Sequence, residues 1–116
     1  MDEKKDSLSE EIEEILRDMD LDGTLKGMWF MRYAIEKDVQ DPGYTAFITK
    51  GLYIDVAEHF HTTPSCVERN IRSAVSIAWA SGKVETLFGR PLERRPSNGE
   101  FIDMVSYRIR RGAGIK

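Results

Sequence analysis

Five polar side chains, Ser65, Glu68, Arg69, Arg72 and Ser76, recur at spacings of three and four residues, so on an α-helix they share one face. Their types suit the reading of base edges. An arginine can make paired hydrogen bonds to O6 and N7 of guanine, a glutamate can accept from the amino group of cytosine, and a serine can bind a base or a phosphate. The plain alternative is a solvated helix face closed by a Glu68–Arg72 pair at i, i+4.

The elements needed to present such a face stand on either side of His61-Thr62-Thr63. That gap separates two helical patterns and has the length used in helix-turn-helix units. Val56, Ala57 and Phe60 give the first helix an apolar edge, and small Ala57 lets a second helix approach closely. Val67, Ile71, Ala74, Val75 and Ala78 form the facing stripe of the second. Thr63 is placed to cap that helix with its hydroxyl, and Pro64 suits its first position, where a missing N–H costs nothing. His61 takes the turn position that tends to be left-handed, a region His tolerates better than most side chains. The helix starting at Pro64 is therefore the expected recognition helix, with its first turns aimed at the major groove.

The rest of the chain reads as helical support, so the expected fold is all-α with this helix-turn-helix, about 53–79, at its centre. Leu8, Ile12, Ile15, Leu16 and Met19 predict an amphipathic helix over Ser7–Met19, its first turn capped by Ser7 or Ser9. Leu25, Met28, Trp29, Tyr33 and Ile35 predict a second helix ending near Asp38, and Asp41-Pro42-Gly43 a turn before a third stretch from about Tyr44 to Lys50. Ser97-Asn98-Gly99-Glu100 has the form of a capping box and predicts a last helix of about 98–110, ended by Gly112 and Gly114. No repeat or linker divides the 116 residues, so one domain over 1–116, with its core at 7–111, is expected.

Composition fits a soluble globular chain, at 41% hydrophobic and 32% charged residues. The net charge of −3 conceals an asymmetry: residues 1–60 carry 15 acids and 7 bases, whereas residues 61–116 carry 5 acids and 10 bases. The helix-turn-helix lies mostly in the basic half. Arg90, Arg94 and Arg95 are candidates for neutralising phosphates beside the groove, with a solvated loop as the alternative. No signal peptide or membrane span is visible, which places the chain in the cytoplasm. Cys66 is the sole cysteine, excluding an internal disulfide and a cysteine-based zinc finger, and its oxidation is expected to weaken DNA binding. His59 and His61 beside Glu58 supply too few ligands for a metal. Neither a cofactor motif nor a catalytic acid pair is recognisable, so no cofactor and no enzymatic activity are expected.

The stretch from Ile48-Thr49-Lys50-Gly51-Leu52-Tyr53-Ile54-Asp55-Val56-Ala57 through Val67-Glu68-Arg69-Asn70-Ile71-Arg72 to Ala78-Trp79 resembles the C-terminal effector domain of the stage 0 sporulation protein A family. Leu87-Phe88-Gly89, Arg90-Pro91, Pro96 through Val105 and, more loosely, Leu25-Lys26-Gly27 and Arg32 to Ile35 extend the similarity. The resemblance implies a domain of about six helices that binds a short GC-containing box in double-stranded DNA, often as tandem copies, and contacts the sigma factor of RNA polymerase. It implies DNA contact by Ser65, Glu68, Arg69 and Arg72, and Thr63, Cys66 and Ser73 are further candidate DNA-binding positions at the start of or along the same helix. At Cys66 the family usually carries an arginine and at Ser73 often a histidine, so a changed target or affinity is expected. The segments Gly82–Gly89 and before Pro96 are shorter than in the family, which bears on sigma-factor contact. The family's receiver domain has no counterpart in these residues, so either a fragment or a stand-alone relative that is not switched by aspartyl phosphorylation is expected. The competing expectation is an adaptor that keeps this fold and binds a protein partner, such as a sigma factor or the full-length regulator.

Overall fold

A computed structural model describes residues 3–112 as six α-helices. They are α1 (Glu3–Asp18), α2 (Lys26–Gln40), α3 (Tyr53–Phe60), α4 (Pro64–Ala80), α5 (Val84–Phe88) and α6 (Asn98–Gly112). A 3-10 turn (Tyr44–Phe47) and one π-turn (Ile48–Leu52) join α2 to α3. No strand occurs among the described residues, and the all-helical architecture expected from the periodicities is the one observed.

Helix α2 is the hub, packed against α1, α4 and α6. It buries Met28, Met31, Ala34 and Ile35, which meet Ile12 and Leu16 of α1 and Met19 just after it, Val67, Ile71 and Ala78 of α4, and Phe101, Ile102 and Val105 of α6 in one core. Polar contacts fix α1 to α2: Arg32 Nη1 reaches Glu13 Oε2 at 2.8 Å, and Ser9 Oγ donates to Glu36 Oε1 at 2.9 Å.

Those contacts correct the expected start of α1. The helix begins at Glu3, so Ser7 and Ser9 lie inside it and cap nothing; Ser9 instead holds the buried Glu36. The segment after Asp41-Pro42-Gly43 is a second correction, being a 3-10 turn and a π-turn rather than a regular helix. Ile48, Thr49 and Gly51 are three weak helix formers in four positions, and the tighter and wider turns replace the regular ladder there. The Tyr44 hydroxyl anchors the segment by donating to Asp55 Oδ2 at 2.5 Å. Helix α6 is closed at its start by a reciprocal capping box, with Glu100 N–H donating to Ser97 Oγ at 3.2 Å and Ser97 N–H to Glu100 Oε1 at 2.8 Å. It runs on through Gly112, while the proposed stop at Gly114 lies outside the described residues.

Candidate nucleic-acid interface

The turn between α3 and α4 is built from local chemistry. His61 is left-handed (φ 57°, ψ 49°), which directs its N–H and that of Thr62 back to the carbonyls that end α3; Thr62 N–H reaches the Ala57 oxygen at 2.9 Å. Thr63 then opens α4. Its extended backbone lets Oγ1 accept from the Cys66 N–H at 3.2 Å, and Pro64 stands at the first helical position. The stripe Val67, Ile71, Ala74, Val75 and Ala78 is buried as its spacing predicts.

Behind the helix, α2 crosses at Gly27. A methyl group added there would lie 2.2 Å from the Asn70 carbonyl oxygen and 3.0 Å from Ala74 Cβ. Only hydrogen on that side of Gly27 allows the two backbones to come this close. The position of α4 is thereby set by backbone contact as well as by its apolar stripe.

In front, Ser65, Arg69, Arg72 and Ser73 are exposed and Glu68 partly so. Glu68 Oε2 lies 3.6 Å from Arg72 Nη1, the i, i+4 pair anticipated from the spacing. Among the described residues no carboxylate comes within ion-pair distance of Arg69. Cys66 is turned sideways and half-buried. Its Sγ accepts from Asn70 Nδ2 at 3.3 Å and lines a shallow recess with Lys26, Trp29 and Phe60.

The three loop arginines are placed differently. Arg95 reaches α4, where its guanidinium donates to Ser76 Oγ beside Arg72. Arg94 is held in a two-pronged contact with Glu100, each nitrogen–oxygen distance being 3.1 Å. That guanidinium, with the Ser97 N–H, holds the Glu100 carboxyl down to about 2. Arg90 is exposed, its backbone N–H bonded to the Glu85 carbonyl at 3.2 Å. Arg95 alone of the three is thus brought to the outward face of α4.

Two supporting residues escaped the sequence reading. Asn98, the first residue of α6, donates to the Tyr53 hydroxyl at 2.9 Å, tying α6 to α3. Tyr53 in turn is buried, and that burial raises its hydroxyl pKa above the ordinary value. Together with Glu68, Arg72 and Arg95 these residues wall a groove of about 570 Å³ running from α4 to the start of α6. Nothing in the spacing of Tyr53 and Asn98, 45 residues apart, announces their contact. Gly27 carried a fainter signal, as a glycine within an otherwise apolar helical stripe.

His59 is engaged elsewhere, stacked on Tyr33 with ring centres 4.0 Å apart. Among the described residues no three His, Cys, Asp or Glu side chains gather into a metal-binding set, and no helix is long and apolar enough to cross a membrane.

A helix-turn-helix with a buried rear stripe, a capped start and an outward arginine face is the frame of a DNA-binding domain. Residues 12–109 match the family model described as "Sporulation initiation factor Spo0A C terminal". The chain therefore belongs to the family of C-terminal, DNA-binding effector domains of the sporulation initiation factor Spo0A.

Proposed function

We propose that this chain is a sequence-specific transcription regulator that reads a short box in duplex DNA with the outward face of α4. The observation that carries the reading is the exposed face itself, where Ser65, Arg69, Arg72 and Ser73 project from a helix whose opposite face is buried. Arg69 is the base-reading residue, its fork unclaimed by a neighbouring carboxylate and therefore available to guanine. Arg72 exchanges its exposed contact with Glu68 for DNA at small cost, because such a pair is worth well under about 1 kcal/mol. Glu68, once released, is free to accept from a cytosine amino group. Thr63 and Ser65, at the start of α4, contact phosphate or base, and Cys66 and Ser73 border the read positions without supplying a bidentate fork.

Arg95 supplies a phosphate contact next to Ser76, adding affinity without sequence information. Arg90 serves the same role from the loop after α5, and Arg94 contributes only where phosphate displaces Glu100. Binding in tandem copies and contact with a sigma factor extend the reading to transcriptional control, which places the chain in the cytoplasm with its DNA.

The test is binding to a labelled duplex carrying the family's box and to a scrambled duplex, across a salt series, with Arg69→Ala alongside. Preference for the box that weakens with salt and falls roughly 10-fold or more in the variant is expected, as for loss of one bidentate base contact. Equal binding to both duplexes sinks the proposed specificity. No binding even at low salt replaces it with the protein-partner reading.

A further inference from the structure

At the C-terminal end of α2, the seam with α6 changes from apolar to polar. Asp38 is 1% exposed and Ser106, opposite it on α6, is fully buried. The Ser106 Oγ is in short hydrogen-bond contact with Asp38 Oδ2 and lies 3.1 Å from the Asp103 carbonyl oxygen. A serine hydroxyl has one proton, so it can donate to only one of these two oxygens. A carbonyl cannot bring a proton of its own. If the serine proton goes to that carbonyl, the other contact is a hydrogen bond only when Asp38 carries a proton and donates it to Ser106 Oγ.

Three neighbouring facts agree with a neutral Asp38. Its Oδ1 is buried with no hydrogen-bond donor on it among the described residues, an arrangement costly for an ionised carboxylate. Arg110, the cation that faces it from α6, gives its Nη1 to the Asp38 backbone carbonyl at 2.9 Å rather than to the carboxyl group. Asp103, also on α6, is held by the Thr45 hydroxyl at 2.8 Å and sets a like charge against Asp38. Tyr44 faces the cluster from the 3-10 turn with its hydroxyl committed to Asp55 of α3, so it brings no positive charge.

We infer that Asp38 is a neutral carboxylic acid built into the α2–α6 seam and that its ionisation loosens α6, making the domain tighter in mildly acid solution than above neutrality. Burial, reinforced by the neighbouring Asp103 carboxylate and opposed by the Ser106 hydroxyl and by Arg110, pushes the Asp38 pKa up to about 6. The ordinary aspartate value near 4 is the unfolded reference. Because the folded value is the higher, the folded state binds the proton more firmly, and stability falls as pH rises from about 4 through about 6. Above that window the penalty is constant. The inference is independent of DNA reading and is tested without DNA.

The deciding measurement is a carbon-13 NMR titration of the Asp38 carboxyl in the full chain, assigned with Asp38→Asn. A midpoint near 6 is expected, and a midpoint at or below about 4 overturns the inference. Asp38→Asn itself keeps the shape and supplies a permanent donor to Ser106. Its Tm should exceed that of the unaltered chain by roughly 10 °C at about pH 7.5, by about half as much at about pH 5 and by little at about pH 4. An equal or lower Tm at the higher pH also overturns it. Asp103→Asn should move the Asp38 midpoint downward by removing the like charge, and an unmoved midpoint removes Asp103 from the account. Should Asp38→Asn fail to fold, the titration of the unaltered chain, assigned by sequential connectivity, still decides.

Discussion

Helix α2 closes against its two largest partners in opposite ways. Against α4 it meets Asn70 and Ala74 at Gly27, where there is no room for a methyl group. Against α6 its end holds Asp38, a carboxyl group with one oxygen that has no hydrogen-bond donor among the described residues. The first contact is steric and indifferent to solution conditions, whereas the second is electrostatic and follows the proton. The helix proposed to face DNA is thus placed by shape, and the helix that braces the far side of the core is placed partly by charge.

Gly27→Ala is the strongest way to break this contrast. In an ordinary helix the change gains about 1 kcal/mol. Here it should cost roughly 3 kcal/mol in urea unfolding, since backbone must move to admit the methyl group. Adding Ala74→Gly should rescue little, because the closest clash is with the Asn70 carbonyl; full rescue would show that side-chain crowding alone sets the contact. Thr63→Ala comes next. Loss of the cap on the Cys66 N–H should cost about 1 kcal/mol, with a DNA affinity that follows the order of the first turn of α4. The smallest effect sharpens the charge side. Glu100, lowered to about 2, contributes stability that is present at neutral pH and lost as pH falls from its ordinary range near 4 toward 2. Thermal melts of Glu100→Gln should show a shallower decline in acid than the unaltered chain. The start of α6 thus weakens in acid while its Asp38 contact strengthens, and a variant with the same slope as the parent would dissolve that opposition.

The two regions also differed in how far the sequence disclosed them. The helix-turn-helix was legible because its determinants are neighbours in the chain: His61 for the left-handed turn, Thr63 for the cap, Pro64 for the first helical position and five apolar residues for the buried stripe. The capping box of α6 was legible for the same reason. Contacts between distant residues were not. Asp38 and Ser106 are 68 residues apart, and an aspartate near a helix end reads as solvated until another element covers it. Ser9 misled in the converse way, since a serine among glutamates looks like a cap until Glu36 is seen beside it. Along the Tyr44–Leu52 turns, weak helix formers allowed a helix to be drawn where the chain takes two irregular turns. Within the outward face, Ser65, Glu68, Arg69 and Arg72 followed from spacing, but only the fold separates Arg95, which reaches α4, from Arg94, which turns to Glu100.

The crossing at Gly27 bears on how such a domain changes its target over generations. Because α4 is located from behind, by backbone against backbone, the residues on its front are free to be exchanged without moving the helix that carries them. On the proposed reading, exchanges at exposed positions of that face such as Ser65 and Ser73 can therefore change the sequence recognised while the docking pose is kept.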